Sequence, residues 1–202
     1  MSKGILLVVS APSGCGKDAV IKALKESDFE FVKTVSDTTR DIREDEINGI
    51  DYTFISREEF EKRINDGYYL EHTVYSGNYY GTPKSEVEKR LNEGSCILMK
   101  IEVEGAGNIR RIMPDAVTVF LGPPSMEELE RRLRNRGTET EESIRLRYEA
   151  SKEELKCAPE YNYVVVNDVL EDCVEDIRKI VEVEMLQYAN RKEFVDELLN
   201  NC

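Results

Sequence analysis

Ile5-Leu-Leu-Val-Val-Ser-Ala-Pro-Ser-Gly-Cys-Gly-Lys-Asp18 is the stretch on which the fold turns. Ile5 to Ser10 is a short, continuous apolar run, as a strand buried on both faces requires. A turn containing Gly14 and Gly16 follows, and then a helix-like stretch, AVIKALKES. Strand, loop and helix in that order start a parallel sheet. Outward from it, CILMKIEV (Cys96 to Val103), AVTVFL (Ala116 to Leu121) and YVVV (Tyr163 to Val166) are further buried-strand candidates. Helical patterns separate them. One begins at Pro124-Ser125, with Met126, Leu129 and Leu133 at helical spacing, and the last sets Leu170, Val174, Ile177 and Val181 on one face. Alternating strands and helices give an α/β class: a five-stranded parallel core sheet flanked by helices.

The loop itself, Ala11-Pro12-Ser13-Gly14-Cys15-Gly16-Lys17-Asp18, resembles the phosphate-binding pattern G-x-x-x-x-G-K-[ST] in the context that pattern demands. Gly14 and Gly16 let the backbone wrap closely, so that N–H groups and the helix start face phosphate oxygens. Lys17 adds a charge that can reach the β- and γ-phosphates. All eight residues are candidates for binding a nucleoside triphosphate. Ala11 stands where the pattern has glycine. Asp18 stands where it has the hydroxyl that holds Mg²⁺, and a carboxylate is still a hard-oxygen ligand. The competing reading is a Gly-rich turn that only caps a helix.

The 202 residues suffice for one sizeable α/β domain with small insertions. A net charge of −13 without a long basic run argues against a nucleic-acid or membrane surface, but not against a local nucleotide pocket. Five cysteines without a CxxC pair suggest neither a disulfide framework nor a zinc site, and reduced thiols fit the cytoplasm. The single histidine, His72, removes His-based triads from consideration. No apolar run approaches the length of a membrane span.

Residues 36 to 84 read differently. DYTFI and YYLEHTVYS are short strand signals, with a tight turn at Ser76-Gly77-Asn78, and predict a small inserted domain of mixed or antiparallel character. The core is expected over 1–35 and 85–202, with a helical lid at about 125–150. Within the lid, 136 to 147 reads as a polar mobile segment outside the core, where Thr138-x-x-Glu141 is a better capping pattern than Thr140-x-x-Ser143. Arg40 and Arg43, beside the hydroxyls of Ser36, Thr38 and Thr39, suit a single phosphate that needs bidentate donors.

The order and spacing of TTR-x-x-R, NG-x-DY, SG-N-YYGTP, RGTETEESI-x-x-R and VVND resemble the guanylate kinase family over nearly the whole chain. The resemblance implies transfer of the ATP γ-phosphoryl group to GMP or dGMP, with Mg²⁺ as cofactor. It implies that Ser36, Arg40, Arg43, Tyr52 and Tyr80 hold the GMP phosphate, with Glu46 supporting the arginines. Glu71 would accept from guanine N1 and N2, and Thr82 would donate to O6. A carboxylate matches that N–H edge and meets no such donors on adenine. Arg132 and Arg147 would surround the transferring group, Arg136 would lie against adenine, and Asn167 would touch its edge. Asp18 and Glu102 are the expected metal ligands. Monomer and homodimer both stay open. So do two other readings: a guanylate-kinase-like binding module with impaired catalysis, and a kinase for another nucleoside monophosphate.

Lys100 departs from the acid that the resemblance sets at its position. Placed on a strand through 100, 102 and 104, it would share a face with Glu102. Asp18 and Lys100 are departures of opposite sign in one expected cleft. Either they compensate each other, by a salt bridge or by Lys100 neutralising phosphate charge, or each is drift.

Overall fold

The computed structural model describes residues 4–75, 77–135 and 140–200. β1 (Ile5–Ser10) is buried throughout. It pairs in parallel with β7 (Cys96–Lys100) on one side and β8 (Val117–Gly122) on the other. β2 (Val32–Lys33) and β9 (Tyr163–Val166) complete a five-stranded parallel sheet among the described residues, in the order β2-β7-β1-β8-β9.

The unbroken apolar run of β1 has a simple cause: successive side chains enter different layers. Ile5, Leu7 and Val9 pack with α1 (Lys17–Glu26), α5 (Met126–Arg134), α6 (Glu141–Leu155) and α7 (Leu170–Met185). Leu6 and Val8 pack on the opposite face with α3 (Lys84–Asn92) and α4 (Val103–Ile112). Each such side chain, fully buried, contributes roughly 1.5–3 kcal/mol. A further helix, α8 (Tyr188–Asn200), closes the described chain with Phe194, Leu198 and Leu199 exposed.

The second sheet runs from Ser36 to Pro83 and is mixed. Its order is β4-β3-β6-β5, from β3 (Ser36–Thr38), β4 (Tyr52–Phe54), β5 (Tyr69–Tyr75) and β6 (Asn78–Pro83). β3 and β4 are parallel, while β6 is antiparallel to both β3 and β5. α2 (Arg57–Asn65), capped by the Ser56 hydroxyl, covers this sheet with Phe60. The Phe60 ring is fully buried between Tyr69 at 4.5 Å and Tyr79 at 5.0 Å. A Cβ on Gly81 would meet that ring at 2.8 Å, so the sheet admits only glycine there without a shift.

Three sequence expectations need correction. The strand predicted over Cys96 to Val103 ends at Lys100, because Glu102 is the N-cap residue of α4. Residues 100, 102 and 104 therefore do not share a strand face. The stretch from 136 to 147 is not uniformly outside the core. Residues 141–147 are the first turns of α6, and Ile144 is buried in the same core cluster as Leu129 and Leu133 of α5. The α6 cap is Thr140, whose hydroxyl accepts from the Ser143 N–H at 3.2 Å, while Thr138 lies outside the described residues.

Candidate active site

The phosphate loop depends on backbone that only glycine adopts easily. Gly14 and Gly16 have φ of 88° and 79°. Gly16 starts α1, and a Cβ there would lie 2.6 Å from Asn167 Nδ2. That same amide donates to the Cys15 carbonyl at 2.7 Å and so braces the loop from β9's end. Asn167, expected at the adenine edge, is therefore buried beneath the loop with its NH₂ engaged. Burial pushes the Cys15 thiol up to about 12, which makes it a packing group and not a nucleophile. Ala11 is buried, and the Ser13 N–H donates to Glu154 of α6 at 3.3 Å.

Lys17 emerges from the loop toward β7. Its ammonium donates to the Ile101 carbonyl at 2.9 Å and pairs with Glu102 at 3.1 Å. Asp18 sits one residue on, and its Oδ1 is 2.7 Å from Lys100 Nζ. The two departures of opposite sign thus form one ion pair, between the first turn of α1 and the end of β7.

From here a cleft of about 740 Å³ runs to the small sheet. Ser36, Arg40, Arg43, Tyr52, Glu71 and Tyr80 line it together with Lys17, Asp18 and Glu102. Glu46 grips Arg40 through both carboxylate oxygens, at 2.7 and 2.9 Å, and accepts the Arg43 N–H at 2.9 Å. The Arg40 guanidinium holds Glu46 below the usual carboxylate range. Arg40 also lies over Tyr52, whose ring meets Tyr80 edge-on at 5.9 Å. At the closed end, Thr82 donates to Glu71 at 2.9 Å and contacts Ser36 Oγ at 3.2 Å. Burial pushes the Glu71 carboxyl up to about 7, against the opposing pull of the Thr82 bond.

On α5, Arg132 is held by Glu128 at 2.7 Å and donates to the Asn167 carbonyl at 2.9 Å. Arg147 lies on α6. Arg136 lies outside the described residues. The reading of residues alone missed Thr73, Tyr75, Lys33 and Asp51, which also line the cleft. For Thr73 and Tyr75 a signal existed: they follow Glu71 at two-residue intervals on β5, so they share its face.

Among the described residues no three His, Cys, Asp or Glu side chains converge as a metal cluster, and no helix is long and apolar enough to cross a membrane. The cleft joins a phosphate loop to an arginine-lined pocket that ends in a buried carboxylate, which is a two-substrate geometry.

Comparison with known proteins gives a consistent result. The family model for guanylate kinase matches residues 3–184. A guanylate kinase of Clostridium perfringens (strain 13 / Type A) is 43% identical over 192 residues, covering 95% of this chain and 89% of its own length. One from Lactococcus lactis subsp. lactis (strain IL1403) is 47% identical over 182 residues, 90% of this chain and 89% of its own. The crystal structure of guanylate kinase from Anaplasma phagocytophilum matches with a TM-score of 0.79 at 34% identity, covering 94% of this chain and 90% of that one.

Proposed function

The chain belongs to the guanylate kinase family and transfers a phosphoryl group from ATP to GMP, and we propose that its cleft performs this with a magnesium ion on the donor side. The observation that supports the site assignment is that one cleft is lined by Lys17 of the glycine-rich loop and by the buried carboxylate Glu71.

In this reading the 36–84 unit is the inserted acceptor domain and the remainder is the core, with the lid at about 125–150. Ser36, Arg40, Arg43, Tyr52 and Tyr80 hold the GMP phosphate, and Glu46 keeps Arg40 extended for it. Glu71 reads the guanine N1 and N2 edge, in GMP or dGMP, and Thr82 turns its hydroxyl proton from Glu71 to O6 when the base is bound. Ala11 to Asp18 hold the ATP phosphates, with Arg136 on the adenine side and Asn167, whose NH₂ group stays on the Cys15 carbonyl, meeting adenine through its amide oxygen. Asp18 and Glu102 are two hard-oxygen carboxylates that line the cleft with Lys17. That donor set fits a Mg²⁺ ion that takes its remaining ligands from phosphate and water. When bound, the ion supplies charge neutralisation at the β- and γ-phosphoryl oxygens.

The chain's own work is alignment and neutralisation. Lys17 offsets charge on the donor phosphates, and Arg40 and Arg43 hold the acceptor oxygen in line. Arg132 and Arg147 stabilise charge on the transferring oxygens as the lid closes. No general base is needed, because the acceptor phosphate is already anionic. We place the enzyme in the cytoplasm as a monomer or homodimer, acting on nucleotides and not on nucleic acid or membranes.

Arg43→Ala tests the acceptor assignment. It is expected to raise the KM for GMP at least tenfold and leave the KM for ATP within about twofold. Equal effects on both substrates would contradict it.

A further inference from the structure

Lys100 is a partly buried cation that the mechanism above does not use. It ends β7, opposite Val9 of β1. Its side chain is only 17% exposed, and its ammonium faces the cleft between the two substrate ends. Two groups meet it there. Asp18 Oδ1 lies at 2.7 Å, and the Tyr52 ring centroid at 5.6 Å. Burial keeps the Tyr52 phenol protonated, above its ordinary range. Lys33 is close by, but it turns to Asp51, 3.9 Å from Oδ1.

An ammonium has three donors and no acceptor. Asp18 takes one of them. The ammonium itself lies against the Tyr52 ring, and a cation held there fixes the ring and with it the place of the hydroxyl, in the cleft that Arg40 and Tyr80 also line.

We propose that Lys100 is a positioning residue for the acceptor nucleotide: pinned by Asp18, it orients the Tyr52 hydroxyl toward the GMP phosphate. The proposal rests on the acceptor site assigned above. It assigns Lys100 to the GMP side of the cleft, although its ion-pair partner belongs to the ATP side.

The test is steady-state kinetics with separate GMP and ATP titrations, together with calorimetric GMP binding in the absence of ATP. Lys100→Met is expected to raise the GMP KM and Kd about tenfold while the ATP KM stays within twofold. Lys100→Arg, which keeps the charge and a donor, recovers most of the loss. Tyr52→Phe gives a similar loss, and Tyr52→Phe/Lys100→Met is no worse than the poorer single variant, because both remove one contact. Should Lys100→Met fail to fold, Lys100→Gln carries the same comparison. An unchanged GMP Kd in the Lys100 variants, or losses that add with Tyr52→Phe, would overturn the proposal. Arg43→Ala separates the two levels. If it too leaves GMP binding unchanged, the acceptor-site reading falls; if it alone weakens GMP, only the role of Lys100 falls.

Discussion

Thr82 donates its hydroxyl proton to Glu71 at 2.9 Å, and both side chains are buried at the inner end of the cleft. The bond fixes the carboxylate on β5 against β6, across an antiparallel pair whose register sets Glu71 directly opposite Thr82. A carboxylate held there accepts from two adjacent N–H groups and offers none.

Glu71→Gln places an NH₂ group where only acceptors suit guanine. The expected result is a GMP KM raised about a hundredfold, because a buried donor is left facing a donor. The ATP KM should stay within about twofold. Initial rates at varied GMP check this. A GMP KM within threefold of wild type would remove Glu71 from purine recognition.

The same carboxyl makes stability and binding depend on pH in opposite directions. Burial raises its folded pKa from 4.5 to about 7. The free protein therefore has this contribution in full below pH 4.5 and loses it as pH rises through 7, on the order of 3 kcal/mol. GMP needs the ionised form, so GMP binding tightens over the upper part of that window. Denaturant titrations from pH 4.5 to 7.5 should show a fall in stability for wild type that Glu71→Gln lacks. The GMP phosphate titrates in both proteins, so the difference between their pH–KM profiles isolates Glu71.

Asp37 is a stability prediction. It is buried on β3 and accepts from Arg63 at 2.7 Å and from the Tyr69 hydroxyl at 2.8 Å. Arg63 is partly exposed and keeps Glu59 at 2.8 Å as a second partner, which reduces the cost on its side. Asp37→Asn should still destabilise the small sheet by roughly 2–4 kcal/mol, read by chemical denaturation. A change under about 0.5 kcal/mol would mean the network is dispensable.

What the sequence revealed follows from the range of the interactions involved. The phosphate loop was legible because its strand, glycines and lysine are contiguous and each has one physical reason to be there. The small sheet was legible from the short strand signals DYTFI and YYLEHTVYS and their clustered tyrosines. The end of β7 was not, because Ile101 and Val103 look like strand residues while Glu102 is the N-cap of α4. Ile144 reached the core unnoticed because charged neighbours mask its helical spacing. The Asp37–Arg63–Tyr69 network joins residues 26 and 32 positions apart, contacts that no local pattern announces, whereas the Asp18–Lys100 pair, 82 apart, was open to expectation only because both residues depart from the family pattern with opposite charge.

Gly16→Ala tests the loop. A methyl group there meets the Asn167 amide at 2.6 Å on a backbone with φ of 79°. The variant must displace either Asn167 or the loop, and the ATP KM should rise at least tenfold while GMP binding measured alone is unchanged. Unchanged ATP kinetics would show that the loop geometry is not needed for the donor.

The most direct test of the central claim is ADP release with ATP, Mg²⁺ and GMP, set beside AMP, UMP and CMP and a Lys17→Ala control. The account predicts rapid release only with GMP, and a fall of about a thousandfold in the Lys17 variant. Release at the wild-type rate from Lys17→Ala, or equal rates with AMP and GMP, would contradict it.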